Sequence, residues 1–171
     1  MSDGASSSVV PVASGTPTAS RVEAVHIVLP GLTNALGSIF GGILMQWIDI
    51  AGAIAGARHA LGPVVTASVD RIHFLRPVKL GDVVIVQAQV NHAARTSMEV
   101  GVRVFSEDQR TREQHQATRA YLTFVAIDEL GKPRPIRPLV IETADDERRF
   151  AKAAKRRSDR LAERNEMGIK T

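Results

Sequence analysis

From Ile39 to Ala57 the chain is almost wholly apolar, and that run constrains the fold more than any other feature. The glycine pair Gly41-Gly42 opens it and Gly62-Pro63 ends it. The sequence therefore predicts a helix from Phe40 to about Leu61, roughly 30 Å long at 1.5 Å per residue. Apolar residues occupy nearly every side of this helix, and such a helix has to be surrounded. A bilayer is one way to do so, since about 20 apolar residues span its hydrocarbon core. Asp49 stands in the middle of the run, however, with Gln46 one turn before it and four glycines inside the span. An ionisable side chain at mid-membrane is costly. Protein rather than lipid is the expected coat.

The rest of the chain supplies that coat as strands. "RVEAVHIVL" (21–29) alternates loosely and reads as a first strand, and "PGLTNALGS" (30–38), dense in Gly, Pro, Asn and Ser, reads as a loop. After the helix come four further strand signals, at 64–75, 82–90, 97–105 and 117–126. The segment 97–105 alternates most cleanly, with Met98, Val100, Val102 and Val104 on one side and Ser97, Glu99, Gly101 and Arg103 on the other. Short connections between consecutive strands predict antiparallel neighbours. The fold class is α+β: a long antiparallel sheet of about five strands curling around one central apolar helix. A second flank of the helix stays exposed unless another subunit covers it.

With 171 residues the chain suits one domain, expected over 21–140. Residues 1–20, rich in Ser, Gly, Pro and Ala, predict a flexible tail with no signal-peptide pattern. Residues 141–171 predict a basic helix or tail, solvated and dispensable for chemistry. The chain has no cysteine, which excludes disulfides, thiolate metal sites and Cys nucleophiles and fits a cytoplasmic location. A net charge of +4 suits an anionic partner without choosing one.

Two features carry chemistry. The first turn of a helix presents unpaired N–H groups and a partial positive charge, and Gly41 and Gly42 let another group approach them. An oxyanion or phosphate would fit there; so would plain close packing. Asp49 lies eight residues on, about 12 Å along the axis, so it is no cap. A carboxylate on an apolar helix is either a structural group satisfied by a hydrogen bond or a general base or nucleophile. Asn34 lies in the loop just before the glycines, where Asn is ordinarily turn chemistry. Nucleophile elbows, phosphate-binding loops and dinucleotide motifs are absent from the sequence. His26, His59, His73, His92 and His115 show no metal-ligand spacing and read as surface or strand-edge histidines; no metal is expected.

"TNALGSIFGGILMQWIDIAGAIAGARHA", "VVTASVDRIHFLRPVKLGD" and "RTSMEVGVRVF" together resemble the acyl-CoA thioesterases of the hotdog fold, over residues 21 to 140. The resemblance is to bacterial single-domain acyl-CoA hydrolases and to the tandem-domain cytosolic enzymes of animals. It implies that Asp49 activates water or attacks the thioester, that Asn34 positions water or the thioester, and that the N–H groups of Gly41 and Gly42 polarise the carbonyl. It also implies that Arg95, Thr96 and Ser97 line the coenzyme A tunnel, with Thr66 and Ser68 added by strand position. Asp49 and its own helix start are too far apart to act on one carbon, so the expected site is composite, formed across a homodimer. The resembling families assemble such dimers into hexamers, as trimers of dimers.

The implied reaction needs no cofactor: acyl-CoA and water give a carboxylic acid and CoA, a step of fatty acid metabolism. Arg58, Arg71, Arg76, Lys79 and Arg95 are unassigned candidates for CoA phosphate contacts. The competing readings are a non-catalytic acyl-CoA sensor on the same fold and a hotdog dehydratase. The first would need an output module, and residues 1–20 do not resemble one. The second relies on a histidine against a carboxylate, and none stands in the loop or first helical turn. Neither a nucleic-acid nor a membrane partner is expected.

Overall fold

A computed structural model describes residues 15–166. Residues 1–14 of the expected tail and 167–171 at the other end lie outside the described residues, and of Arg71 only the backbone is described. The elements run α1 (Pro17–Ser20), β1 (Val22–Ile27), a 3-10 turn (Pro30–Leu32), α2 (Gly41–Ala60), β2 (Val64–Phe74), β3 (Val83–Ala93), β4 (Ser97–Glu107), β5 (Gln114–Ala126) and α3 (Ala144–Glu166). The five strands make one sheet in the order β1-β3-β4-β5-β2, with every neighbouring pair antiparallel. The expected hairpins β3–β4 and β4–β5 are present. β2 and β3, by contrast, are not neighbours: the connection between them crosses the sheet and leaves β2 on an edge beside β5.

The sheet wraps α2 as expected. Leu44, Ile48, Ala51 and Ala55 meet Val84, Val86, Val90, Met98, Val100, Val102, Val104, Leu122 and Phe124 in one core. The alternation of β4 places Met98, Val100, Val102 and Val104 there, all nearly inaccessible. Gly52 makes the close approach possible, because a Cβ on it would stand 3.0 Å from the Phe124 ring. Leu61 ends the helix in a left-handed conformation (φ 54°). Arg134 Nη2 donates to the Ala60 carbonyl (2.7 Å) and Arg137 Nε to that of His59 (3.0 Å), so two cations close the negative end of α2.

Two expectations about the ends are corrected. Residues 15–20 are not tail: the turn of α1 packs on β3, and buried Ser20 Oγ accepts from Val90 N (2.9 Å). The basic segment after 141 is helical but not simply solvated. Thr143 caps α3 through Asp146 N (3.1 Å), and three acids fill its first turn. The helix then lies on the outer face of the sheet. Arg156 clamps Glu99, only 2% exposed, with Nε to Oε2 at 3.0 Å and Nη2 to Oε1 at 2.7 Å. Its guanidinium also covers the Tyr121 ring at 3.7 Å. Arg160 pairs with Asp70, and the Phe150 ring meets His92. Periodicity could not show this, because the docking face of α3 is largely charged and its complement sits on strand positions that read as solvent-facing.

Candidate active site

The loop before α2 is built by turn chemistry. A bridge between Thr33 and Ile39 closes it, and Gly37 holds a φ of 72° that favours glycine. Asn34 is its keystone. The side-chain Oδ1 accepts from Leu36 N (2.9 Å) and Ser38 N (3.3 Å), and Asn34 N donates to the Ser38 carbonyl (2.8 Å). With Oδ1 committed, Nδ2 donates to no protein group among the described residues.

Phe40 caps α2 with no side-chain hydrogen bond, and its carbonyl accepts from Ile43 and Leu44. The N–H groups of Gly41 and Gly42 therefore have no backbone acceptor among the described residues. A Cβ on Gly42 would meet nothing within 4 Å, so packing inside this chain does not require that glycine. Gly41 faces Phe74, and beside it a mostly apolar hollow of about 300 Å³ opens between Leu44, Phe74, Leu75 and Arg76.

Asp49 lies two turns further on. Within one chain it is only half-buried. On the helix flank that carries it, Met45 (47% exposed), Ile50 (49%) and Ile54 (44%) are open around it. Its hydrogen-bond partner is Thr66 of β2, whose Oγ1 donates to Asp49 Oδ1 at 2.7 Å. That leaves Oδ2 unengaged among the described residues. Sequence reasoning placed Thr66 along the coenzyme A tunnel; its hold on the carboxylate was not legible, because strand spacing gives no direction toward the helix.

The other predicted positions divide. Ser97 faces Val125, which faces Val65, so the hairpin Arg95-Thr96-Ser97 lies at the same end of the sheet as Thr66. Ser68 does not join them. A bulge after Thr66 turns it to the outer face, where it bonds Asp70 (3.2 Å), the partner of Arg160. Within one chain, then, Asp49 and Thr66 meet, while Asn34, Gly41 and Gly42 gather at the far end of α2. Arg58, Arg76, Lys79 and Arg95 are exposed, the Arg58 head bonding the Arg21 carbonyl. His59 is the exception to the surface reading of the histidines. It is buried under the 134–139 segment with Nε2 3.1 Å from the Arg137 carbonyl, and burial lowers its pKa. No group of side chains among the described residues could hold a metal ion, and no described helix is long and apolar enough to cross a membrane.

Comparison with known proteins completes this picture. The family model of the Thioesterase superfamily matches residues 36–113. The uncharacterized acyl-CoA thioester hydrolase YkhA of Bacillus subtilis is 40% identical over 127 residues, covering 74% of each chain. Mouse Acyl-coenzyme A thioesterase 11 is 39% identical over 141 residues, 82% of this chain; the chain spans only 24% of that longer protein. Among solved structures, an apo-hexameric acyl-CoA thioesterase superposes with a TM-score of 0.84 at 38% identity, over 86% of this chain and 95% of that one. The Staphylococcus aureus acyl-CoA hydrolase, solved with butyryl-CoA, CoA and CoA disulfide, gives 0.84 at 36% identity, over 90% and 93%. Three single-alanine variants of that enzyme have also been solved. They replace an aspartate, an asparagine fifteen residues before it and a threonine seventeen residues after it. Asn34, Asp49 and Thr66 stand at the same two spacings.

Proposed function

From the premise that this chain belongs to the thioesterase superfamily, we infer that it is an acyl-CoA thioesterase: acyl-CoA and water give a carboxylic acid and CoA. One observation carries the choice of residues. Thr66 donates to a carboxylate set at mid-helix in an open apolar strip, where an aspartate has no stabilising reason to be. Thr66 fixes one oxygen of Asp49. The other is free to take the proton of an attacking water or to attack the thioester itself. The negative charge that develops on the carbonyl oxygen is met by the N–H groups of Gly41 and Gly42 at the positive end of α2. Asn34 Nδ2 orients water or the thioester, and the hairpin Arg95-Thr96-Ser97 borders the path of coenzyme A. The sulfur leaves as the thiol, and the carbonyl carbon gains the water oxygen.

These groups reach one carbon only across two chains. Eight residues separate Asp49 from Gly41, about 12 Å of helix. A second α2, antiparallel across a two-fold axis, would bring its glycines to this Asp49 and cover Met45, Ile50 and Ile54. The reading is a homodimer with two equivalent sites, grouped as a trimer of dimers and working in the cytoplasm. The hexameric assembly of the solved thioesterase supports that grouping, and the absence of cysteine agrees with a reducing compartment.

Asp49→Asn keeps shape and polarity but removes the base. Thiol release from a panel of acyl-CoA chain lengths should fall on the order of 10²-fold or more, with binding retained; turnover within a few-fold of wild type would remove Asp49 from the chemistry. The composite site has its own test. Asn34→Ala and Asp49→Ala chains, each inactive alone, are mixed, unfolded and refolded with subunit exchange verified by mass. Mixed dimers rebuild one intact site each, so about a quarter of wild-type activity should return. No recovery would place the whole site within one chain.

A further inference from the structure

The reaction leaves the outer face of the sheet unused, yet that face carries a sizeable hollow lined mainly by cationic side chains. A groove of about 450 Å³ runs between α3 and the outward residues of β3, β4 and β5, a volume in the range of small-molecule sites. Seven cationic side chains line it against one carboxylate, Glu23. Three of the cations are committed: Arg156 to Glu99, and Arg148 and Arg149 to Asp145, whose carboxyl they hold well below its ordinary pKa. The remaining four, Arg21, Arg103, Arg119 and Lys152, have no carboxylate partner among the described residues. Arg103 is half-buried, and burial together with the charges of Arg149 and Arg119 works against its protonated form, opposed in part by the Asp145 charge.

A second observation is independent of charge. The floor of the groove holds Gln89 and Asn91, 8% and 4% exposed; Asn91 Nδ2 is given to Glu99, while Gln89 keeps a buried Nε2 without a protein partner. Arg21 Nε donates to Gln89 Oε1 (3.2 Å), which fixes the unpaired amide as the donor. Gly101 belongs to the same floor. It sits in mid-strand, where glycine is unfavourable, and a Cβ there would collide with the Asn91 amide. Cations without a carboxylate partner beside the buried, unpaired Gln89 N–H donor are costly to assemble and are offset by a bound anion with several acceptor oxygens.

We propose that this outer groove is a binding site for a small phosphoanion, held by Arg103, Arg119 and Lys152 with the buried Gln89 amide N–H as a further donor, and separate from the acyl-CoA site on the other face of the sheet. Enclosure by α3 argues for a small ligand rather than a macromolecule. Pyrophosphate is the probe, measured by titration calorimetry on the full chain at moderate salt. Wild type should bind about one pyrophosphate per chain. Arg103→Gln should weaken binding at least tenfold, and Lys152→Gln several-fold; the latter lies at the exposed rim, so it reports even if the half-buried substitution unfolds the protein. Asp49→Asn should bind as wild type does, whatever its effect on hydrolysis, which keeps this test apart from the thioesterase reading. Saturating CoA should leave the affinity unchanged. Absence of binding in wild type, equal binding by folded Arg103→Gln and Lys152→Gln, or stoichiometric displacement by CoA would each overturn the proposal.

Discussion

The sheet has a helix on each face, and the two are held by opposite physics. α2 is apolar and sits in a core where Leu44, Ile48 and Ala55 are almost fully enclosed. Dispersion and the hydrophobic effect fix it, and these depend on area and shape rather than on one partner. α3 is charged and buries few apolar groups, Ala153 among them; Arg156 on Glu99 and Arg160 on Asp70 hold it down. The difference decides where chemistry can sit. A helix fixed by area can give up one flank, and α2 does so at Gly42, Met45 and Asp49. A helix fixed by ion pairs has its polar groups occupied, except where the charges outnumber their partners.

The contrast can be broken most directly at the clamp. Arg156→Ala leaves Glu99 buried and unpaired, and should cost about 3 kcal/mol, read as a shifted urea midpoint. Activity per folded molecule should persist, because the clamp is on the face opposite Asp49. A loss below about 1 kcal/mol would mean that α3 merely rests on the sheet. A chain ended near Glu142 removes the same partner, so its folding should fail before its chemistry does. The next effect separates the two flanks of α2. Gly52→Ala should cost about 1–3 kcal/mol by driving a methyl into Phe124. Gly42→Ala should move stability by only about 0.5 kcal/mol while lowering turnover. Equal thermal shifts would erase the distinction.

The smallest effect sharpens the comparison through pH. Burial is the first cause lowering the pKa of both His59, on α2, and His92, beneath α3. The folded state keeps them neutral where the unfolded chain binds protons. Stability should therefore be full above the ordinary histidine value of about 6.5 and decline as pH falls through the lowered values. Urea midpoints at about pH 7.5 and about pH 5.5 give the slope. His59→Gln and His92→Gln should each flatten it, and an unchanged slope in both would relocate the linkage.

Legibility in the sequence followed the same divide. The helix, the five strands and the facing of β4 could be read because apolar residues recur at fixed periods, and Asp49 stood out because it broke such a period. The edge position of β2 could not be read, since pairing order depends on crossovers rather than local pattern. The role of Glu99 was hidden because alternation assigns it to solvent, and only Arg156, 57 residues away, makes it buried. Which flank of α2 stands open in one chain could not be read for a related reason: an all-round apolar helix looks the same whether its own sheet or a second chain supplies the coat. Ser68 was misplaced by a bulge, which shifts facing by one residue without leaving a mark in composition.

Those bulges set the shape of the sheet. β3 spends two residues, after Val90, against one of β4; β5 does the same opposite Val104 and Phe105; and β2 carries two extra residues against β5. Contour length therefore grows outward from β4 toward both sides, by about 3.3 Å per added residue. A surface whose margins are longer than its middle cannot lie flat or roll into a simple cylinder; it becomes a saddle. A saddle is hollow on both faces, along different directions. Surplus length at the margins thus gives the apolar helix its trough on one side and leaves a second trough on the other, in which the charged helix and its basic groove lie.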